Sequence, residues 1–430
     1  MTSKGFKEFY LSSGLCTDTR AIVKDCLFVC IRGENFNGNT FSKEALAQGA
    51  NHVIVDNPDH FTNETDMTLV EDSVKYIQQL ANHHRRKFDI PVIGITGSNG
   101  KTTTKELMHA VLSKKYNVLS TIGNLNNHLG VPFTVLRLES THDIAIIEMG
   151  ANRLNDIQEL CEIVEPTHGI ITNIGKAHLE GFGDFAGVLK TKRELYEAID
   201  RVSGTIVMNS DDKTLVNALP QHMESFDYGT SMRSEVFGQL LSLSPFVNLK
   251  WENETYRSTE IRTQMVGKYN FYNYLAAISF GVLFEVPSTD ISNAISEYTP
   301  RNNRSQIQKT SSNTLIMDCY NANPTSMRSA LDSFAMIEND SKLFILGDMK
   351  ELGAESDSEH SAIIRLIESL GLSGYTVGSS FAKLSSDQVL ESFTTTEELK
   401  AFLSANKLSD HLLLLKGSRS VGLESVTELL

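Results

Sequence analysis

Gly94-Ile95-Thr96-Gly97-Ser98-Asn99-Gly100-Lys101-Thr102-Thr103-Thr104 is the stretch that decides the reading of this chain. It follows the apolar run Ile90 to Ile95 and precedes Lys105-Glu106-Leu107-Met108-His109-Ala110-Val111-Leu112, which has helical spacing. Strand, glycine turn and helix in that order make a cradle for phosphate. The glycines let backbone N–H groups approach an anion, and the helix N-terminus adds partial positive charge. Lys101 supplies a full charge, and Thr102 offers a hydroxyl to a magnesium ion. Ile95 stands where the strict GxxxxGK[ST] pattern has its first glycine.

Around this stretch the chain has 430 residues, enough for two or three domains. Hydrophobic residues make up 40% and charged residues 21%, so the chain can bury a sizeable core. A net charge of −14 with no basic block argues against a nucleic-acid partner. The densest basic run, His83-His84-Arg85-Arg86-Lys87, reads as a solvated helix end. The five cysteines form no CxxC pair and no secretory signal opens the sequence, which predicts a reducing, cytoplasmic setting. Cys26 and Cys30 lie in an apolar run and read as buried small hydrophobes. No apolar stretch approaches the ~20 residues a membrane span needs.

Alternating apolar runs and helical patterns predict an α/β chain in three domains. Residues 1–88 read as a small α/β unit, with strands at Cys26–Ile31 and His52–Val55 and helices at Ser42–Gly49 and Ser73–Lys87. Residues 89–300 read as a parallel-sheet domain, with runs at Val92–Ile95, Ile144–Ile147, Gly169–Thr172 and Thr205–Met208. Within it, Phe237–Leu243, Val247–Trp251 and Ser258–Thr263 read as a short antiparallel meander, and Asn270–Phe284 as an apolar helix. Residues 301–430 read as a third, Rossmann-like α/β unit with strands at Leu315–Met317, Leu343–Leu346 and Leu412–Leu415.

Several of these strands end in polar residues, where open α/β sheets bind ligands. Glu148 ends one strand and is either a magnesium ligand or a paired surface carboxylate. His178 reads as structural or exposed, or as a metal ligand. Lys190, Lys192 and Arg193 read as a solvated helix face. Asp318 ends a strand of the third unit, and Asn323 and Pro324 read as N-cap and first residue of a helix. Gly347-Asp348-Met349-Lys350-Glu351-Leu352-Gly353 and Lys416-Gly417-Ser418-Arg419-Ser420 follow two further strands of that unit. If this edge closes on the cradle, a two-sided site results that keeps water from a reactive phosphorylated intermediate.

These motifs, in this order from about residue 90 to 420, resemble the Mur ligases, the ATP-dependent amide-forming enzymes of peptidoglycan synthesis. Thr96-Gly97-Ser98-Asn99-Gly100-Lys101-Thr102 stands for the family's TGTNGKT cradle. Gly123-Asn124-Leu125-Asn126-Asn127-His128, Glu148-Met149-Gly150-Ala151, Ala177-His178-Leu179-Glu180-Gly181 and Asp318-Cys319-Tyr320-Asn321-Ala322-Asn323-Pro324 point to the branch that adds D-alanyl-D-alanine to UDP-N-acetylmuramoyl-tripeptide. Thr17-Asp18-Thr19-Arg20 stands where the family has Asp-Ser-Arg, and Asn37 replaces its usual Asp.

The resemblance implies roles. Gly97, Ser98, Asn99, Gly100, Lys101, Thr102 and Thr103 would cradle ATP. Asn270 and Asn273 would serve adenine, with Arg304 reaching the nucleotide and Asp318 its ribose. Thr102, Glu148, His178 and Lys192 would hold Mg²⁺, Lys192 as a carbamylated lysine. Lys101, His178 and Lys192 would be catalytic. Thr19, Arg20 and Asn127 would contact the UDP-substrate, and Asn321 and Asn323 the dipeptide. The implied domains are UDP-substrate-binding, P-loop ATPase and C-terminal ligase, in a monomer without membrane or nucleic-acid partner. Two other amide ligases of the superfamily, folylpolyglutamate synthase and the tripeptide-forming Mur ligase, and a non-catalytic nucleotide switch are the competing readings.

Overall fold

In the computed structural model, which describes residues 4–243, 245–301, 303–384 and 391–430, the run before the cradle forms the strand Val92–Thr96. All five of its residues are buried, as expected of an uninterrupted apolar run covered on both faces. It lies inside a nine-stranded sheet ordered Ile261–Val266, Phe246–Glu252, Val236–Ser242, Ser225–Gly229, Thr205–Asn209, His168–Ile171, Val92–Thr96, Ile144–Glu148, Val118–Ser120. The strands from Val236–Ser242 to Val118–Ser120 pair in parallel, and the three at the other edge pair antiparallel with one another. The expected meander is therefore present, but its last strand begins at Ile261 and not Ser258. The Asn253 carboxamide oxygen accepts the N–H groups of Thr255 and Tyr256 and closes a turn, and Ser258 exchanges hydrogen bonds with the Trp251 backbone.

Helix Lys101–Leu112 packs against helix Tyr269–Leu283 over one core in which Leu107, Met108, Val111, Tyr274, Leu275 and Ile278 are all buried. The third sheet runs Gln306–Lys309, Thr314–Met317, Leu412–Lys416, Lys342–Gly347, Gly374–Val377, Glu391–Phe393. All but its first strand are parallel. Thr314–Met317, Leu412–Lys416 and Lys342–Gly347 are neighbours, so the loops after them emerge together at one edge.

The chain forms two compact units. One gathers Met1–Ile90 with Thr121–Ser140 and Glu162–Glu165; the other holds Pro91–Ser120, Thr141–Cys161 and Pro166–Leu430. The first contains a parallel four-stranded sheet, Leu15–Cys16, Leu27–Val29, His52–Val55, Met67–Leu69. Its helix Ser73–Arg85 starts at Asp72, whose carboxylate accepts from Val74 and Lys75 N–H. The basic run at the end of this helix departs from the expected solvated face: His84 and Arg85 are buried. Arg85 donates to the carbonyls of Val164 and Phe88, and the His84 ring meets the Leu138 carbonyl at 2.9 Å. Carbonyls at segment ends need donors, and a long cationic side chain supplies several at once. Cys26 and Cys30 are buried as expected, and all five cysteines are free thiols. Among the described residues no helix is long and apolar enough to cross a membrane.

Candidate active site

The cradle is built on two glycines. Gly97 has φ +143°, and a Cβ there would collide with the Thr172 hydroxyl; Gly100 has φ +80°, and its Cβ would lie 2.7 Å from Asn273 Oδ1. Both positions combine a left-handed backbone with close approach, which glycine alone accommodates. The neighbouring strand end ties the loop down. Thr172 Oγ1 and Asn173 Nδ2 donate to the Asn99 carbonyl at 2.6 and 2.9 Å, and Asn173 Oδ1 accepts the Asn99 N–H at 3.0 Å. Ser98 Oγ donates to the Gly175 carbonyl and accepts the Gly175 N–H.

Lys101 folds back over the loop, its Nζ donating to the Gly97 carbonyl at 2.7 Å. Burial pushes its ammonium below the ordinary lysine range; Glu148 opposes this and Arg304 reinforces it. On the next residue, Thr102 Oγ1 donates to Glu148 Oε1 at 3.1 Å, so the hydroxyl and carboxylate singled out for a metal do meet. The other Glu148 oxygen lies 3.8 Å from Lys105 Nζ, and both side chains are buried. Thr103 is also buried, on the first turn of the same helix.

Lys192 departs from the solvated face its flanks suggested. Lys190 and Arg193 are exposed, but Lys192 is only 3% exposed and its ammonium faces the Phe182 ring at 5.8 Å. Among the described residues no carboxylate lies within ion-pair distance of it. Burial, helped by the Lys101 charge, holds its ammonium well below the ordinary lysine range.

His178 sits at φ +52° and places Nδ1 2.5 Å from Glu351 Oε2, of the third domain. That contact holds the Glu351 carboxyl below its usual range. Lys176 adds an ion pair to Glu359 at 2.6 Å. Asp348 anchors the loop carrying Glu351 by accepting N–H groups from Ser380 and Phe381. Among the described residues no group of three or more His, Cys, Asp or Glu side chains gathers to hold a metal.

The third domain reaches the cradle through a side-chain pair. Asn323 Nδ2 donates to Asn99 Oδ1 at 2.8 Å, and Asn99 Nδ2 returns a longer bond of 3.4 Å. Asn323 is also the expected N-cap of helix Pro324–Ala335, with its Oδ1 accepting the Ser326 N–H and Pro324 in the first turn. Asn321 is exposed, its Oδ1 accepting the Ala322 N–H. Asp318 pairs with Lys416 at 2.7 Å and accepts from Tyr269 OH at 3.5 Å. Arg304 lies over the Tyr320 ring at 3.7 Å. Asn270 and Asn273 are buried and bonded to the protein itself: Asn270 to the Val266 carbonyl, Asn273 to Asn270, and Thr104 to Asn273.

The remaining candidates lie in the first unit. Arg20 is exposed and paired with Asp18, and Thr19 lies between them in a short 3-10 turn. Asn127 is exposed and its Oδ1 accepts the N–H groups of Leu129 and Gly130, capping helix Gly130–Val135.

Comparison with known proteins matches three consecutive family models to this chain: the Mur ligase family catalytic domain at residues 12–99, the Mur ligase middle domain at 95–281, and the Mur ligase glutamate ligase domain at 303–419. The UDP-N-acetylmuramoyl-tripeptide–D-alanyl-D-alanine ligase of Bacillus subtilis is 31% identical, over 96% of this chain and 92% of the relative. The chain belongs to the Mur ligase family. Among solved Mur ligases, a crystal structure of MurF from Acinetobacter baumannii superposes with a TM-score of 0.88 at 31% identity, covering 96% of this chain and 92% of that one. MurF from Thermotoga maritima in complex with ADP superposes with a TM-score of 0.87 at 25% identity, covering 97% of each chain. The three-domain α/β architecture expected from sequence is that of this family.

Sequence reasoning about this Mur ligase passed over Lys105, Asn173, Glu351 and Lys416. Lys105 is one helical turn beyond Lys101, and that i, i+4 spacing was the available signal. Asn173 lies two residues past the end of strand His168–Ile171, in the region from which loops reach a ligand. Glu351 and Lys416 lie in motifs that were recognised without roles for their side chains.

Proposed function

We propose that this Mur ligase joins D-alanyl-D-alanine to UDP-N-acetylmuramoyl-tripeptide at the expense of ATP. The products are UDP-N-acetylmuramoyl-pentapeptide, ADP and phosphate. The tripeptide's terminal carboxylate attacks the γ-phosphorus and ADP departs, leaving an acyl phosphate. The dipeptide's amine, having lost its ammonium proton, attacks the acyl carbon. The tetrahedral intermediate then expels phosphate and the amide remains. The observation that carries this reading is the Asn99–Asn323 pair, which sets a phosphate cradle against the loop that ends a strand of the third domain.

In this scheme Lys101 and the N–H groups at the start of helix Lys101–Leu112 offset charge on the transferred phosphoryl group. Thr102 and Glu148 fit a magnesium ion, being hard oxygen donors already 3.1 Å apart. When bound, the ion would neutralise phosphate oxygens. Lys192 would complete a second metal position with His178 once carbamylated. Its burial without an acidic partner among the described residues supports this, because both favour the unprotonated amine, to which carbon dioxide adds with loss of one N–H proton to solvent, leaving a carboxylate-like anion. Arg304, Asp318, Asn270 and Asn273 belong to the nucleotide side, Asn273 by its place against Gly100. Thr19, Arg20 and Asn127 belong to the UDP-substrate, and Asn321 and Asn323 to the dipeptide. The working division is residues 1–88, 89–300 and 301–430, acting as a monomer in the cytoplasm. Phosphate release by the purified protein tests the reaction: it should require ATP, Mg²⁺, UDP-N-acetylmuramoyl-tripeptide and D-alanyl-D-alanine together. Release without the dipeptide at the full rate would refute it.

A further inference from the structure

Two guanidinium groups converge on one aromatic ring at the edge of the third domain. Arg304 lies 3.7 Å and Arg419 5.6 Å from the Tyr320 centroid, so the two are at most about 9 Å apart. Like charges this close ordinarily share a carboxylate. Here neither arginine has one within ion-pair distance among the described residues. Asp318, two residues before the ring, is engaged by Lys416. A pair of arginines lacking an acid, held against an aromatic face, is a receptor for an anion brought from outside.

The two arginines differ in what they face. Arg304 lies over Tyr320, whose loop carries the Asn323 that bonds to Asn99 of the cradle. Arg419 is exposed, at the start of the short turn Arg419–Val421. Its loop is firmly based: Ser418 is buried, its N–H donating to the Asp348 carbonyl and its hydroxyl accepting the Lys350 N–H. The incoming dipeptide has matching ends. Its amine must reach the acyl phosphate at the cradle, and its carboxylate then lies about 7 Å away along two residues of chain.

We propose that Arg419, seated beside Tyr320, receives the C-terminal carboxylate of the incoming dipeptide and so fixes which end of it attacks. This rests on the ligase reading above. Arginine suits the task because its planar fork meets a carboxylate with two parallel hydrogen bonds. The selectivity it confers is for a free carboxylate over an amide or ester.

Phosphate release should be measured for the wild-type enzyme, Arg419→Gln and Arg419→Lys, each with D-alanyl-D-alanine and with its C-terminal amide. For the wild type, the KM of the amide should exceed that of the dipeptide by about 10- to 100-fold. In Arg419→Gln the dipeptide's KM should rise by a similar factor, the amide's should stay, and the KM for ATP should stay. Arg419→Lys should fall between. A variant that still prefers the dipeptide as strongly as the wild type overturns the proposal, as does a rise in the KM for ATP alone. A wild type that accepts the amide as well as the dipeptide overturns it without any variant. Absence of release with the dipeptide itself would instead overturn the ligase reading.

Discussion

Replacing Asn323 by serine separates two jobs that one side chain does at once. The asparagine caps helix Pro324–Ala335 and reaches across to Asn99 in the cradle. Serine keeps an acceptor for the Ser326 N–H, as N-cap serines do, but is too short to reach Asn99. What is lost is one neutral hydrogen bond of normal length, 2.8 Å, and a long one of 3.4 Å. Together these amount to about 1–1.5 kcal/mol. If turnover requires the third domain against the cradle, kcat/KM for phosphate release should fall about 5- to 10-fold. Asn99→Ala should fall by the same factor, and the double variant no further, giving a coupling of about 1 kcal/mol in a double-mutant cycle. Asn323→Ala should also melt lower than Asn323→Ser, by the cap it removes, worth about 1 kcal/mol. Multiplying effects in the double variant would refute the reasoning, because two residues that do not work as a pair have independent costs.

Lys101→Ala should lower kcat by about 10²- to 10³-fold while leaving the circular dichroism spectrum unchanged, as removal of one preorganised charge does. Lys192→Ala should lose activity and regain part of it with short-chain carboxylic acids, read by phosphate release. Lys192→Met tests its burial separately. The folded lysine has its pKa below the unfolded value of 10.5, so between the two the unfolded chain holds the extra proton and stability rises with pH. Denaturant titrations in carbonate-free buffer should show that rise shrinking in the Met variant by up to about 1.4 kcal/mol per pH unit below pH 10.5. Gly97→Ala should abolish nucleotide binding and lower the melting temperature, whereas Gly33→Ala, where nothing lies within 4 Å of the new Cβ, should leave the melting temperature in place.

Runs such as Val92–Thr96 and Ile144–Glu148 were legible because a strand covered on both faces must be apolar throughout. Asn323-Pro324 was legible because capping is a local event. The errors fall on long cationic side chains, whose burial depends on what packs over them. Lys192 is hidden between exposed Lys190 and Arg193, yet Val188, Thr191, Leu195 and Ile199 are buried at helical spacing, and Lys192 falls on that face. Arg85 has no such local sign, since apart from the Phe88 carbonyl its partners are carbonyls about 80 residues further along the chain. The Thr102–Glu148 contact follows from strand order, because the strands leading to these residues are paired neighbours. The meeting of Asn99 with Asn323, 224 residues apart, lies beyond any local pattern.

The first unit is assembled from three separate stretches of chain, ending with Glu162–Glu165. That arrangement imposes a timetable on synthesis. When Phe88 leaves the ribosome, the carbonyls that Arg85 serves at Val164 and Glu165 have not yet been made. At 5–20 residues per second the wait is about 4–15 s, during which the four strands of the first unit's parallel sheet exist without their closing segments. The nascent amino-terminal portion therefore depends on a long interval of unfinished folding, and the strands of the central sheet that lie between its pieces emerge before it is complete.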